Sequence, residues 1–299
     1  MDISLIIATR NRASQLARCL QAVKDIRFER PWELTIVDND SSDNTADVVQ
    51  KFVNEAAIPV SYVCEPVRGL SNARNAGLKA ARGDILAFTD DDCYPASDFL
   101  TEIWRAFVDH PSLGYIGGRI LLHDPADYRI TFNESTAPRL FPKNSYLAAG
   151  DIQGANMAFR KSTLEEIGGF DPLFGAGAMF SAEDIDAAAR ASMKGWVGKY
   201  CPEVVVRHHH GRKAADVPGL WKSYAIGRGA YHMKLLLKSG RFMWFAKAIY
   251  RVRYRSYELS RWTIFWEQVG ALGYAYMALV YFYSWFSKII MRKIRATRC

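Results

Sequence analysis

The sequence predicts an α/β fold in which helices flank a mostly parallel sheet. Strand and helix patterns alternate through the first 120 residues. The strand patterns are short apolar runs, and the helix patterns carry a single apolar stripe. Such alternation is typical of βαβ units. With 299 residues, 49% of them hydrophobic, the chain is long enough for one large domain and an appendage.

The predicted elements follow one another closely. The first four strands are expected at 3–8, 33–37, 60–64 and 84–89, and the helices between and after them at 13–23, 45–52, 70–81 and 98–108. An irregular stretch at 123–153 is followed by a strand at 155–160, helices at 161–167 and 182–193, and a strand at 203–208. Ligands bind beyond the carboxyl ends of strands in such sheets, so the loops after residues 8, 37 and 89 are the candidate site.

Three adjacent carboxylates, Asp90, Asp91 and Asp92, follow the fourth predicted strand. Because like charges repel, a fold that gathers them at one point is expected to supply a cation. Mg²⁺ and Mn²⁺ are suited to a few carboxylates combined with phosphate oxygens. In an extended segment, Asp90 and Asp92 face the same way and share one task. An acidic start of the next helix is the alternative interpretation.

Two more polar loops are expected at the same edge of the sheet. Thr9 and Arg12 lie in the loop after the first strand, and Asp38 begins the loop after the second. By itself the second loop is a capped turn. The convergence of three such loops favours a functional site.

These segments, taken in order, resemble the family 2 glycosyltransferases. The matching segments are SLIIATRNR (4–12), IVDNDSSDNT (36–45), GLSNARNAG (69–77), ARGD (81–84), FTDDD (88–92), GANMAFR (154–160), IGGFD (167–171) and EDID (183–186). The resemblance covers roughly residues 3–210 and is far more specific as an ordered set than in any single piece. Asp40 and Asn44 depart from the pattern, since glycines are frequent at these positions.

The resemblance implies a GT-A type nucleotide-diphospho-sugar transferase fold, with a Rossmann-like mixed sheet flanked by helices. The catalytic domain is expected at 1–212, with a nucleotide-sugar part at about 1–120 and an acceptor part at about 121–212. A basic, aromatic and helical extension is expected at 213–299.

The resemblance also implies roles for individual residues. The nucleotide sugar is expected to contact Thr9, Arg12, Asp38, Arg74, Asp90, Asp91 and Asn156. Asp38 would bind the nucleobase, and Arg74 the phosphates. The implied ligands of Mg²⁺ or Mn²⁺ are Asp92, Asp90 and His208. Asp184 is the implied general base, with Glu183 as the nearby alternative; acids at a helix start also complement the helix dipole.

The implied activity is inverting transfer of one sugar from a nucleotide diphosphate sugar, UDP being the likeliest nucleotide in the family, to a hydroxyl of a glycan or lipid-linked glycan. Surface polysaccharide or cell envelope biosynthesis is the expected setting. The alternatives are a processive synthase, which the segment at 258–262 faintly resembles, a sugar nucleotidyltransferase and a non-catalytic sugar-binding module. A dehydrogenase is excluded because residues 8–12 contain no glycine.

The last third of the chain is strongly basic. Residues 207–299 contain 18 lysines and arginines against three acidic residues. The uncharged, tyrosine-rich segment at 269–286 favours helices that lie on the cytoplasmic face of an anionic membrane. A single membrane span and a packing or dimerisation helix are the alternatives. Nucleic acid is not expected as a partner, and the scattered cysteines and absent signal peptide indicate a cytoplasmic protein.

Overall fold

A computed structural model describes residues 1–240 and 261–296, with side chains throughout except those of residue 261 and residues 281–296. Residues 241–260 of the basic extension, which include most of the segment at 258–262, lie outside the described residues. Contacts between residues divide the chain into two units, Met1–Pro218 and Gly219–Cys299. The functional division of the first unit into a nucleotide-sugar part and an acceptor part stays a prediction.

The first unit contains one mixed sheet of nine strands. They are β1 (Ile3–Thr9), β2 (Trp32–Asp38), β3 (Val60–Cys64), β4 (Ile85–Asp90), β5 (Cys93–Pro95), β6 (Leu113–Leu122), β7 (Arg139–Phe141), β8 (Asn156–Arg160) and β9 (Val197–His208). Their order is β3-β2-β1-β4-β8-β6-β9-β5, with β7 paired to β9. The first four strands are parallel, β8 runs antiparallel to both β4 and β6, and β6 and β9 are parallel.

Helices cover the sheet, as the alternating pattern predicts. They are α1 (Ala13–Lys24), α2 (Thr45–Glu55), α3 (Leu70–Ala80), α4 (Phe99–Asp109), α5 (Lys161–Glu166) and α6 (Glu183–Met193), followed by a 3-10 turn at Ala214–Asp216. Strands β1 and β2 are buried along almost their whole length, which is typical of parallel strands covered on both faces. The α/β class and the mixed sheet flanked by helices are confirmed.

The second half of the sheet contains strands that the sequence pattern does not predict. These are β5, β6 and β7, and β9 begins six residues earlier than expected. β6 carries Gly114, Gly117 and Gly118, which lower strand propensity. Close packing requires at least one of them, because a Cβ at Gly118 would overlap the side-chain amide of Asn156.

The second unit contains α7 (Val217–Ser239), most of which belongs to it, and α8 (Arg261–Ala296). The two helices cross backbone to backbone, since a Cβ on Gly229 or Gly270 would overlap a carbonyl of the other helix. Arg228 Nε also pairs with Glu267 Oε1 at 2.8 Å. The predicted helical character of the extension is therefore confirmed. Of the helices in the described part of the chain, none combines the length and apolar character that a membrane span requires.

Candidate functional site

The loops after β1, β2 and β4 lie side by side at one edge of the sheet. In the parallel register, Thr9 pairs with Asp38, and Ala8 pairs with Asp90. The amide of Asn39 donates to the carbonyl of Thr9 over 2.9 Å, which joins the first two loops directly. The structure therefore brings together the three loops that the sequence selects.

The acidic triplet is anchored to the first loop. Thr9 Oγ1 donates to Asp91 Oδ2 over 2.7 Å. Arg12 forms ion pairs with Asp91 (Nε to Oδ1, 2.8 Å) and with Asp92 (Nη2 to Oδ2, 2.5 Å). Burial raises the pKa of Asp91 to about 7, against the charge of Arg12. The Arg12 side chain thus contacts both Asp91 and Asp92, and the Asp91 carboxylate is buried instead of open to solvent.

Asp92 also contacts a histidine from the last strand of the sheet. Cys93 of β5 pairs with His208 of β9, and this pairing brings His208 Nε2 to 3.2 Å from Asp92 Oδ1. Burial opposes both charges, but their mutual hydrogen bond and attraction lower the pKa of Asp92 and raise that of His208. Donor atoms of Asp90, Asp92, Cys93 and His208 all lie within 4.8 Å of one another.

The second loop holds the Asp38 carboxylate in a defined orientation. Tyr62 donates its hydroxyl to Asp38 Oδ2 over 2.7 Å, and the amide of Ser41 donates to Oδ1 over 2.9 Å. Asp40, in the same turn, has a φ of +64°. This left-handed conformation favours glycine and is also tolerated by aspartate.

Arg74 of α3 connects the acids after β4 with those at the start of α6. Its side chain is 3% exposed and pairs with Glu183 Oε1 at 2.7 Å and with Asp90 Oδ1 at 3.2 Å. It also donates to the carbonyl of Gly154 over 3.1 Å. A Cβ added at Gly154 would meet the guanidinium and displace it from this position. The sheet edge and the first turn of α6 therefore form one continuous polar site.

Asp184 is held by two backbone amides. Gly154 donates to Asp184 Oδ2 and Ile185 donates to Oδ1, each over 2.7 Å. Burial raises the pKa of Asp184 to about 7 and repulsion from Glu183 adds to the increase, while the two amides and Arg74 oppose it. The residue before α6, Ala182, has a φ of +88°, which is an uncommon conformation for alanine. This conformation sets the direction in which α6 begins.

Asn156 lies deeper than the other candidate residues. Its side-chain amide donates to the carbonyls of Arg119 and Val204, both over 2.9 Å, and the residue is 1% exposed. Its Oδ1 has no hydrogen-bond partner among the described residues. Asn156 therefore ties β8 to β6 and β9 beneath the site.

Sequence reasoning missed three groups at the site: Tyr62, the thiol of Cys93 and the backbone of Gly154. The pairing of β2 with β3 carries Tyr62 to Asp38, and that pairing is a tertiary feature. Cys93 directly follows the acidic triplet, so its position was a usable signal. The role of Gly154 could not be read from the sequence because it acts through backbone atoms.

The comparisons with known proteins agree with this geometry. AglE, a glycosyltransferase of Haloferax volcanii, is 24% identical over 235 residues, which are 78% of this chain and 74% of AglE. The O-antigen chain rhamnosyltransferase RfbN of Salmonella typhimurium is 28% identical over 220 residues, 70% of this chain and 67% of RfbN. The chain spans about half the length of two further glycosyltransferases that it matches.

A solved structure shares the fold. The mannosyltransferase PcManGT from Pyrobaculum calidifontis, in complex with GDP-Man and Mn²⁺, superposes with a TM-score of 0.61 and 20% identity over 95% of this chain and 80% of that one. The predicted GT-A type fold is thereby confirmed. The profile of the family described as glycosyl transferase family 2 matches residues 4–168, which is more than half of the chain. This chain therefore belongs to glycosyl transferase family 2.

Proposed function

We propose that this glycosyltransferase moves one sugar, with inversion, from a nucleotide diphosphate sugar to a hydroxyl of a glycan or lipid-linked glycan. The observation that carries the proposal is Arg74, which joins Asp90 on the donor side to Glu183, the neighbour of Asp184. In this proposal Arg74 therefore links the donor phosphate site to the segment that carries Asp184, whose pKa is raised. That arrangement suits a displacement in which the base and the leaving group act on the same sugar.

The donor side comprises the three loops at the sheet edge. Asp38 keeps a free lone pair on each carboxylate oxygen and can accept from a nucleobase N–H. Thr9 and Arg12 form the adjoining wall, and Arg74 meets the phosphates. In this proposal Asp91 and Asn156 hold the elements that form this wall in place, since both residues are buried and hydrogen-bonded to neighbouring elements.

The residues around Asp92 fit a divalent cation. Asp90, Asp92 and His208 offer two carboxylates and one imidazole, a donor set that Mn²⁺ and Mg²⁺ accept when phosphate oxygens complete the coordination. When bound, such a cation stabilises the charge that develops on the departing diphosphate. The PcManGT complex contains Mn²⁺ together with GDP-Man, which supports the same pairing of cation and donor in this chain.

The transfer step assigns the proton to Asp184. Its carboxylate accepts the hydrogen of the acceptor hydroxyl while the hydroxyl oxygen forms a bond to the anomeric carbon. The bond from that carbon to the phosphate oxygen breaks, and the diphosphate leaves with the electron pair. A single displacement from the opposite face inverts the anomeric configuration. A pKa of about 7 suits a base that works near neutral pH.

The activity is tested by donor turnover with and without added cation. UDP-, GDP- and dTDP-sugars are first screened by thermal shift, and the stabilising donors are then assayed for hydrolysis and transfer with Mn²⁺, Mg²⁺ or EDTA. We expect one nucleotide class to stabilise the protein and turnover to disappear in EDTA. Full turnover in EDTA would remove the cation from the proposal. In a parallel assay with a nucleoside triphosphate and a sugar 1-phosphate, release of inorganic pyrophosphate would instead indicate a nucleotidyltransferase.

We further propose that the C-terminal unit binds the face of an anionic membrane, where a lipid-linked acceptor would be found. Helix α8 exposes apolar side chains at alternating spacings of three and four residues: Trp262, Phe265, Val269, Leu272, Tyr276 and Leu279. From residue 207 onwards the sequence contains 18 basic residues and three acidic ones, and this positive charge complements anionic lipid. An apolar helix face combined with surrounding positive charge is the pattern of an interfacial helix.

Membrane binding is tested by co-sedimentation with two kinds of vesicle, one that contains phosphatidylserine and one of phosphatidylcholine alone. We expect sedimentation with the anionic vesicles, and its loss in the double variant Leu272→Glu, Leu279→Glu. The matched control is Leu237→Glu, a comparably exposed leucine on α7. If the double variant still sediments but changes from dimer to monomer, the stripe is a contact between copies of the chain and the membrane proposal fails.

A further inference from the structure

Backbone strain is concentrated around the site. Within the described part of the chain, five residues other than glycine have a positive φ: Asn11, Asp40, Thr131, Asn144 and Ala182. Asparagine and aspartate tolerate this conformation, whereas a β-branched residue is a genuine outlier there. Thr131, with a φ of +58°, is the β-branched member of this set. Such strain persists only where the surrounding structure imposes it, which directs attention to what Thr131 contacts.

Thr131 contacts His208 through its backbone. The Thr131 carbonyl lies 3.2 Å from His208 Nδ1. A carbonyl oxygen can only accept a hydrogen bond, so Nδ1 must carry the hydrogen. The Thr131 hydroxyl donates to the carbonyl of Ile130 over 2.7 Å and is 3.5 Å from the same ring nitrogen. The carbonyl, rather than the hydroxyl, is therefore the partner of the imidazole.

The strained turn is held in place next to β6. Ile120 and Asn133 exchange two backbone hydrogen bonds of 2.9 Å, and this bridge fixes the chain two residues after Thr131. His208 is itself fixed in the sheet, opposite Leu122 of β6 and Cys93 of β5. The loop and the strand are thus held independently, and the left-handed turn at Thr131 directs its carbonyl onto the ring.

We propose that Thr131 is a positioning residue for the cation site. This proposal rests on the proposed function of Asp92 and His208 as ligands of the cation. Its carbonyl fixes one hydrogen on Nδ1, so the hydrogen that Nε2 donates to Asp92 in the metal-free protein is the one that leaves when a cation binds, and the Nε2 lone pair is then available to the metal. Partners of this kind fix the tautomer and orientation of a metal-binding histidine, and their loss typically lowers metal affinity by about 10–100-fold.

Three substitutions separate the backbone from the side chain. Thr131→Gly adopts a positive φ without strain and retains the carbonyl, so we expect the Mn²⁺ Kd to stay within about twofold of the original value. Thr131→Ala lacks the hydroxyl and retains the carbonyl in the same turn, and the same result is expected. Thr131→Pro cannot reach a positive φ, so the carbonyl leaves His208 and the Mn²⁺ Kd rises by about 10–100-fold.

The Kd values are measured by titration of Mn²⁺ into the full-length protein, followed by electron paramagnetic resonance, and circular dichroism reports folding. An unchanged Kd in a folded Thr131→Pro variant overturns the proposal. A Kd that rises equally in Thr131→Gly and Thr131→Ala also overturns it, since the hydroxyl would then be the active group.

The tautomer of His208 gives a second measurement that needs no substitution at Thr131. Long-range ¹H–¹⁵N NMR of histidine-labelled protein distinguishes hydrogen on Nδ1 from hydrogen on Nε2, and a His208→Asn variant assigns the signals. We expect Nδ1 to carry a hydrogen whether or not Nε2 also carries one, and a ring with hydrogen on Nε2 alone would overturn the proposal. If the unmodified protein shows hydrogen on Nδ1 but binds no Mn²⁺, the cation site of the proposed function fails while the Thr131 contact stands.

Discussion

The two carboxylate groups of the site differ in how their charge is balanced. Asp92 pairs with Arg12 and His208, and these partners hold its pKa below the usual value in spite of burial. Asp184 forms no ion pair among the described residues; burial and the neighbouring Glu183 raise its pKa to about 7, although the charge of Arg74 opposes the rise. The first environment keeps a carboxylate ionised and suits binding of a cation. The second keeps a carboxylate close to its protonation equilibrium and suits proton transfer.

The difference also extends to how each group is anchored. Asp92 is contacted by charged side chains from α1's preceding loop and from β9, whereas Asp184 is contacted by the amides of Gly154 and Ile185. Side-chain partners can be exchanged for a ligand, while the amides fix the orientation of a group that must accept a proton repeatedly. Arg74 pairs with Asp90, two residues before Asp92, and with Glu183, the residue before Asp184, and so links the two segments.

The largest expected effect is loss of donor binding in Asp92→Ala. Removal of this carboxylate leaves Arg12 without one of its two acidic partners and His208 without its acid, so neither the cation nor the donor diphosphate is held. We expect isothermal titration to show no Mn²⁺-dependent binding of the stabilising sugar nucleotide. The control is Asp98→Ala, an exposed aspartate six residues further along the chain. An affinity equal to that of the unmodified protein would remove Asp92 from the donor site.

The second prediction separates chemistry from binding. Asp184→Asn retains the size of the side chain but cannot accept the proton, so kcat should fall by about 10²–10⁴-fold. The donor Kd should change little, because Asp184 belongs to the acceptor side of this comparison. Steady-state transfer and donor titration measure the two quantities on the same sample. A near-normal kcat would end the assignment of Asp184 as the base and make Glu183 the next candidate.

The third prediction concerns pH. The base acts as the carboxylate, so kcat should be level above its pKa and fall about tenfold for each pH unit well below about 7. Glu183→Gln removes the repulsion that contributes to the raised pKa, and the acid limb of the profile should then move to lower pH. The measurement is the kcat profile at saturating donor and cation. A limb that stays in place in Glu183→Gln would show that another group controls it.

Much of the donor half could be predicted from sequence, because its strands are apolar runs and its loops are runs of polar residues. The end of β4 follows from the apolar residues before Asp90, and parallel strands end at one edge. The other half obeys tertiary constraints. β9 was predicted too short because Pro202 interrupts the pattern; in the fold, the ladder with β6 is broken at this point, and Cys201 and Val205 pair with successive residues.

The same contrast explains which site residues were missed. Asp90 and Asp92 stand out by residue type and spacing, whereas the role of Asp184 follows from the family resemblance, and Arg12 is selected although its partners are not foreseen. Contacts that depend on a backbone atom, such as the carbonyl of Thr131 at His208, have no counterpart in side-chain chemistry. Neither do contacts created by strand pairing, such as Tyr62 with Asp38.

The smallest expected effect concerns a third carboxylate, that of Asp38, which is compared with those of Asp92 and Asp184. Tyr62→Phe removes one hydrogen bond of 2.7 Å from an exposed tyrosine to Asp38 Oδ2 and leaves the amide of Ser41 on the other oxygen. A net loss of about 0.5–1.5 kcal/mol corresponds to a few-fold to about tenfold rise in the KM for the donor. We expect kcat to stay unchanged, because in the proposed function Asp38 binds the nucleobase and takes no part in the step at the anomeric carbon. Tyr128→Phe, a comparably exposed tyrosine with no part in the site, is the control. A fall in kcat of the same size with KM unchanged would mean that Asp38 takes part in the transition state. The distinction between carboxylates that bind and a carboxylate that accepts the proton would then be wrong.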